Sequence, residues 1–190
     1  MANNNAEISY ANDRNLRLEK VVAALEKVDK GTNEMILKMA QDMMESEIIH
    51  LFNQTSLDLF NILQSVTKRI DTKDNHGISG YKSLFENAIK INAHAPIDNF
   101  TLFILEYAAD IYSQNEKIFL NMTIPDVNVT VGNYFGVIRI DIFRKLWNKM
   151  TNTEKEMIKD KIILLTTFAH TYLYQSILKN KYWNKKDAIV

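Results

Sequence analysis

Residues 151–182 read TNTEKEMIKDKIILLTTFAHTYLYQSILKNKY and contain neither glycine nor proline. Their apolar positions recur at helical spacing, and Thr151 and Glu154 form the Thr-x-x-Glu pattern of a capping box. The segment 162–165 reads IILL and is apolar on all sides of a helix. The sequence therefore predicts a long last helix that begins after Thr151 and lies at the centre of a bundle.

Long stretches elsewhere are also free of helix breakers. Glycine and proline are absent from residues 32–76 and again from 137–190. Because these two residue types disfavour helices most strongly, we expect an all-α bundle of five to six helices. One helix over 33–70 would be long for a compact domain. It either projects, within an arm over 13–52, or breaks near 53–56, where polar residues interrupt the apolar stripe.

Local signals predict the other boundaries. A first helix is expected over about 13–30, with Gly31 just past its end, and Asp98 is expected to cap a later helix. Ser113 and Glu116 form a second capping-box pattern. Alternating valines followed by a Gly-Asn pair predict a short β-hairpin near 126–140, the alternative being an extended loop. Residues 1–12 are predicted to be a disordered or clinging arm.

Composition limits the class of protein. The 190 residues include 23 Lys and Arg, 23 Asp and Glu and no Cys, which excludes disulfides and thiolate metal sites. A net charge of zero argues against a chain-wide field that attracts nucleic acid. The start of the chain lacks a signal-peptide pattern, and the apolar run over 162–174 is too short to span a membrane. We expect one soluble, intracellular helical domain over 13–190.

Candidate catalytic and metal-binding residues are few. Glu47 and His50 form a Glu-x-x-His pair, but a di-metal site in a bundle needs a second such pair, and the sequence has none. His170, in the buried part of the last helix, is expected to be a neutral structural histidine bonded to a threonine, tyrosine or carbonyl. The sequence contains no nucleophile elbow, phosphate loop or zinc-protease motif. We therefore predict no enzymatic activity, cofactor or metal, with a carboxylate-bridged metalloprotein as the remote alternative.

A partner surface is predicted near the N-terminus. The first helix carries a narrow apolar stripe with charged flanks, which suits a seam against one partner helix, and the next segment is rich in methionine. Ordinary core filling is the alternative for the methionines. The residues expected to contact a protein partner or a second copy of the chain are Leu18, Val21, Val22, Leu25, Val28, Met35, Met39 and Met43.

The C-terminal segment suggests a second kind of partner, because it interleaves four lysines with two aromatic rings. Such a segment could contact nucleic acid; the alternative is a solvated helix end whose lysines complement the helix dipole. The residues of this expectation are Lys179, Lys181, Trp183, Lys185 and Lys186.

The helix 142–147 (IFRKLW), the capping box at 151–154 and the long helix to Tyr174 carry a resemblance. This pattern, within residues 98–175, is similar to short helical orphan proteins of nucleocytoplasmic large DNA viruses. The resemblance implies a virus-encoded protein associated with the virion, and it assigns no site residue. We therefore expect a non-catalytic structural or assembly protein that acts through helix-face contacts. The alternative is a nucleic-acid-binding accessory protein.

Overall fold

The computed structural model describes residues 16–70, 77–121 and 140–186, and it describes the side chains of 16–70, 77–118 and 143–176. A helical stretch over 16–25 (α1) is followed by α2 (Lys30–Asp42), α3 (Glu45–Ile70), α4 (Ile78–Ile91) and α5 (Ala95–Ile104). A 3-10 turn (Leu105–Tyr107) leads into α6 (Ala108–Tyr112) and α7 (Glu116–Asn121). The last two helices are α8 (Ile140–Trp147) and α9 (Asn152–Lys186).

These ranges confirm the all-α class and correct the number of helices. Eight α-helices lie between Lys30 and Lys186, where the sequence predicted a bundle of five to six in all. The number is larger because predicted helices are divided in the structure. The predicted helix over 33–70 is two helices, and the segment from 95 to 121 contains three short helices separated by turns. The described residues contain no strand. The predicted hairpin near 126–140 lies outside them, apart from Ile140, which begins α8.

The helix α9 is the central element, as its apolar pattern predicted. It has 35 residues, about 52 Å of helix, and α2, α3, α5 and α6 all pack against it. The larger apolar cluster joins residues from α1 to α9, including Val21, Leu63 and Ile158. A second, smaller cluster lies between α3, α5 and α9 and contains Phe52, which meets Phe100 edge-to-face with ring centroids 5.3 Å apart.

The predicted capping box of α9 is confirmed. The Glu154 amide donates to the Thr151 hydroxyl (3.2 Å), and the Thr151 amide donates to a Glu154 carboxylate oxygen (2.8 Å). Arg69, at the end of α3, donates to both oxygens of the same carboxylate (3.0 and 2.6 Å) and to the Lys149 carbonyl (3.2 Å). The start of α9 is therefore fixed by its own cap and by a side chain of α3.

The break in the segment 33–70 is real, but its predicted position was wrong. The chain leaves the helix at Met43, which has extended backbone angles, and α3 begins at Glu45. The polar residues 53–56 lie inside α3 instead. Ser56 donates to the Phe52 carbonyl (2.9 Å), and the Asn53 amide donates to the Ala93 carbonyl (3.0 Å) beyond α4. Because the Ser56 hydroxyl and the Asn53 side-chain NH2 group find acceptors, both residues are accommodated within a continuous helix.

Three predicted cap positions also need correction. Gly31 lies in the first turn of α2 rather than after α1, since Asp29 caps α2 by accepting from the Thr32 amide (2.9 Å). Asp98 lies within the first turn of α5, which begins at Ala95 before Pro96. Before α7, the side chain of Asn115 accepts from the Lys117 amide (3.2 Å), whereas Ser113 donates back to the Asp110 carbonyl (3.0 Å).

Among the described residues, no helix is both long enough and apolar enough to cross a membrane. The arm predicted over 1–12 lies outside the described residues.

Candidate functional site

The structure divides the predicted partner residues into a buried and an accessible group. Val21, Leu25 and Val28 are buried in the larger apolar cluster of this chain. Met39 and Met43 are partly buried against the smaller cluster. The remaining three, Leu18, Val22 and Met35, are exposed. The first group is therefore part of the core in this structure, and the accessible group remains a candidate for contact with a partner.

The accessible apolar side chains concentrate in the first part of the described chain. Of ten exposed large apolar side chains among the described residues, six lie between residues 16 and 44. We call these six the N-terminal apolar set: Leu16, Leu18, Val22, Met35, Leu37 and Met44. Leu16 and Leu37 were not predicted from the sequence, whereas Met44 belongs to the methionine-rich segment in which a partner surface was expected.

The position of these side chains on their helices explains their exposure. On α1, Leu18 and Val22 are one helical turn apart and flank the buried positions 21 and 25. On α2, Met35 lies beside buried Ile36. Each helix therefore carries an apolar stripe that is wider than the contact it makes with the rest of the described chain. The apolar side chains of the stripe that lie outside this contact are exposed at the surface.

The charges around this set balance. Residues 16–44 contain five Lys or Arg residues and five Asp or Glu residues. Within α2, Lys30 forms an ion pair with Glu34 at 3.6 Å. Arg17 of α1 forms an ion pair with Glu106 of the 3-10 turn at 3.8 Å. Residues 16–44 themselves therefore combine exposed apolar side chains with charges of both signs in equal number.

The C-terminal segment predicted to contact nucleic acid continues α9 as helix through Lys186. The side chains of Lys179, Lys181, Trp183, Lys185 and Lys186 lie outside the described ones. Their role stays a prediction.

Glu47 and His50 are both exposed on α3. Among the described residues, no group of three His, Cys, Asp or Glu side chains is placed to hold a metal ion. His50 instead lines a shallow cavity of about 310 Å³ between α3 and the end of α4, together with Ser46, Ile49, Asn53, Gln54, Leu57, Ile89 and Ala93. This cavity is open to the surface and mostly apolar.

The middle of α9 carries buried polar groups that hold other helices. The His170 ring is fully buried, and its Nδ1 lies 3.3 Å from the Tyr112 hydroxyl on α6, which confirms the predicted structural hydrogen bond. Burial lowers the pKa of His170 to about 4 and raises that of Tyr112. Both side chains are therefore neutral at pH 7.

Two neighbouring residues of α9 fasten α2. The Gln175 side-chain amide donates to the carbonyls of Met43 (2.6 Å) and Ala40 (3.4 Å) at the end of α2. The Tyr174 hydroxyl donates to the Asn33 side chain (3.2 Å), whose own amide donates to the Val28 carbonyl (3.1 Å). The C-terminal carbonyls of a helix lack partners within it, so Gln175 supplies one of the missing donors. Neither contact was predicted from the sequence.

Comparison with known proteins shows a relationship to a viral protein. No protein-family model matches the chain, and no solved structure matches it significantly. The chain is 51% identical over 170 residues to uncharacterized protein R465 of Acanthamoeba polyphaga mimivirus, and the match covers 90% of this chain and 94% of that protein. This relationship supports the predicted viral origin. The chain therefore belongs to the same family as mimivirus protein R465.

Proposed function

We propose that this protein is a non-catalytic viral assembly protein that binds another protein through its N-terminal apolar set. The observation that carries the proposal is the concentration of six of the ten exposed large apolar side chains in residues 16–44. Removal of apolar surface from water is the main driving force for protein association. The mixed charges around the set suit the polar rim of such an interface.

The viral family supports the setting of this proposal. The relative R465 is a mimivirus protein, so a role during viral assembly inside an infected cell is the natural context. Association with the virion and location in the cytoplasm of the host belong to the same proposal.

The test compares two pairs of charge substitutions on exposed apolar residues. The double variant Val22→Glu/Met35→Glu changes the N-terminal apolar set, and Leu84→Glu/Ile91→Glu makes the matched change on α4. All four side chains are exposed, so both variants should keep the fold, which circular dichroism checks. Particles assembled in cells that produce the virus would then be purified, and the content of each variant would be measured by quantitative mass spectrometry.

The expected result is loss of the first variant from the assembled material by at least about tenfold, because a carboxylate buried in an apolar contact costs more than 1.4 kcal/mol. The α4 variant should be retained. Equal retention of both variants, or absence of the unmodified chain from every assembly, would contradict the proposal.

A further inference from the structure

The interior of the bundle contains an ionisable ring at a contact between two helices. His170 lies in the middle of α9 and is fully buried. Its Nδ1 lies 3.3 Å from the hydroxyl of Tyr112, the last residue of α6, and the Tyr174 ring lies 4.7 Å away between centroids. The contact between α6 and α9 thus includes this group of side chains beside the buried apolar residues Ala108 and Ile111 of α6.

The hydrogen bonds of His170 suit a neutral ring. Nδ1 has the Tyr112 hydroxyl as partner, whereas Nε2 is buried and has no hydrogen-bond partner in the part of the chain that the structure describes. A neutral imidazole has one donor and one acceptor nitrogen, so it leaves one group without a partner. A protonated ring carries a hydrogen on each nitrogen. Tyr112 would then have to accept, and the second N–H would be a charged donor without an acceptor.

The surrounding charges do not compensate a positive ring. Within the described part of the chain, the titratable groups seen in contact with His170 are Tyr112 from α6 and Tyr174 from α9 itself, and burial raises the pKa of both, so neither supplies a negative charge. The Asp110 carboxylate of α6 accepts from the Asn115 side chain. Other carboxylates on helices near α9 also bond elsewhere: Asp58 of α3 with Lys161, Asp98 of α5 with Tyr172, Glu116 of α7 with Lys159, Glu34 of α2 with Lys30, and Glu106 of the 3-10 turn with Arg17.

We propose that protonation of His170 loosens the packing of α6 against α9, so that this contact acts as an acid-sensitive conformational switch. The physical basis is the uncompensated charge inside the core, and the lowered pKa of His170, about 4 with burial as its cause, agrees with it. The unfolded or opened chain binds the proton at an ordinary pKa near 6.5, and the closed chain binds it only near 4. Stability is therefore complete above pH 6.5 and falls as the pH decreases from 6.5 to 4.

The difference between these two pKa values sets the size of the effect. Between pH 7 and pH 4 the ratio of closed to open chain should fall by about 100-fold because of this one group. The first experiment measures urea unfolding of the full chain at pH 7, 5.5 and 4. The unmodified protein is compared with His170→Gln, which cannot be protonated, and with His50→Gln, which changes an exposed histidine of α3.

We expect His50→Gln to follow the unmodified protein and His170→Gln to lose stability less steeply with acid. Carboxylates that titrate in the same range affect all three proteins alike, so the difference isolates His170. Identical pH profiles for the unmodified protein and His170→Gln would overturn the proposal.

A second measurement keeps the test decisive if His170→Gln does not fold. The histidine ring signals of the unmodified chain are titrated by NMR, and amide exchange is followed in α6 and, as a reference, in α4. We expect the His170 signal to remain neutral to below pH 5 and exchange in α6 to rise with acid before exchange in α4. Titration of His170 near pH 6.5, or simultaneous change of α6 and α4, would also overturn the proposal.

Discussion

The two halves of α9 that the structure describes are held by different chemistry. In the first half, charged side chains make the contacts: Glu154 with Arg69 at 2.6 Å, Lys159 with Glu116 at 2.7 Å and Lys161 with Asp58 at 2.9 Å. In the second half, from Thr166 to Gln175, the polar residues are neutral and mostly buried. One helix thus uses ion pairs where its partners reach water and neutral hydrogen bonds where they do not.

The difference follows from the cost of removing charge from water. A charged group buried without full compensation is far more expensive than a hydroxyl or amide that keeps its hydrogen bonds. The buried threonines satisfy their hydroxyls locally, since Thr166, Thr167 and Thr171 each donate to the carbonyl four residues earlier. Exposed ion pairs contribute little, so we expect the second half to dominate stability.

The largest effect is expected for Gln175→Ala, which would leave the carbonyls of Met43 and Ala40 without this donor and open a small cavity. Because those groups are largely shielded from water, we expect a loss of about 2–3 kcal/mol in the free energy of unfolding. Urea unfolding at pH 7 measures it. Ser176→Ala is the matched control, since its hydroxyl is exposed and bonds within α9. If the two substitutions lowered the free energy of unfolding equally, the buried contacts in the second half of α9 would not dominate stability.

A smaller loss is expected for Arg69→Met, which removes two hydrogen bonds to Glu154 and one to the Lys149 carbonyl. Arg69 is partly exposed, so we expect about 1 kcal/mol, reduced further at 1 M salt. The hydrogen bonds from Arg69 hold the pKa of Glu154 below its ordinary value. Its contribution is thus present above pH 4.5 and is lost as the pH falls. Thermal unfolding at low and high salt tests this, and a salt-independent loss would contradict the electrostatic explanation.

The smallest effect is expected for Lys161→Met, which breaks the pair with Asp58. Both side chains are partly exposed, and we expect about 0.5 kcal/mol. The bond from Lys161 lowers the pKa of Asp58, so this stabilisation disappears as the pH falls below about 4. A double-mutant cycle with Asp58→Asn measures the coupling. Coupling above 2 kcal/mol would show that the ion pairs matter as much as the neutral half.

The start of α9 could be predicted from sequence because its cap is local. Thr151 and Glu154 are three residues apart, and both partners of the cap are in the same short segment. The end of α2 could not be predicted from the sequence. Met43 and Met44 give no helix-breaking signal, and the group that donates to the Met43 carbonyl is the side chain of Gln175, 132 residues later. The polar residues 53–56 looked like a break, in part because the partner of the Asn53 amide, the Ala93 carbonyl, is also distant in sequence.

The candidate site was predicted in part for a similar reason. Periodicity identifies the apolar stripe of α1, but it does not show how much of that stripe the chain itself covers. Val21 and Leu25 are buried, whereas Leu18 and Val22 on the same helix remain exposed. The width of an apolar stripe can be read from the sequence of its own helix. How much of that stripe becomes buried depends on helices far along the chain. His170 was predicted as a structural residue because a histidine within a buried helix must find a partner.

The fastening of α2 by Gln175 and Tyr174 has a consequence for folding. Asn33 and Tyr174 are 141 residues apart, and Ala40 and Gln175 are 135 apart. As the ribosome makes the chain from the N-terminus, α2 emerges long before the helix that covers Ile36 and Ala40. Contacts of such high sequence separation form slowly and expose apolar surface meanwhile. Synthesis of almost the entire chain must precede closure of this layer, which makes the nascent protein a candidate client of chaperones that bind apolar segments.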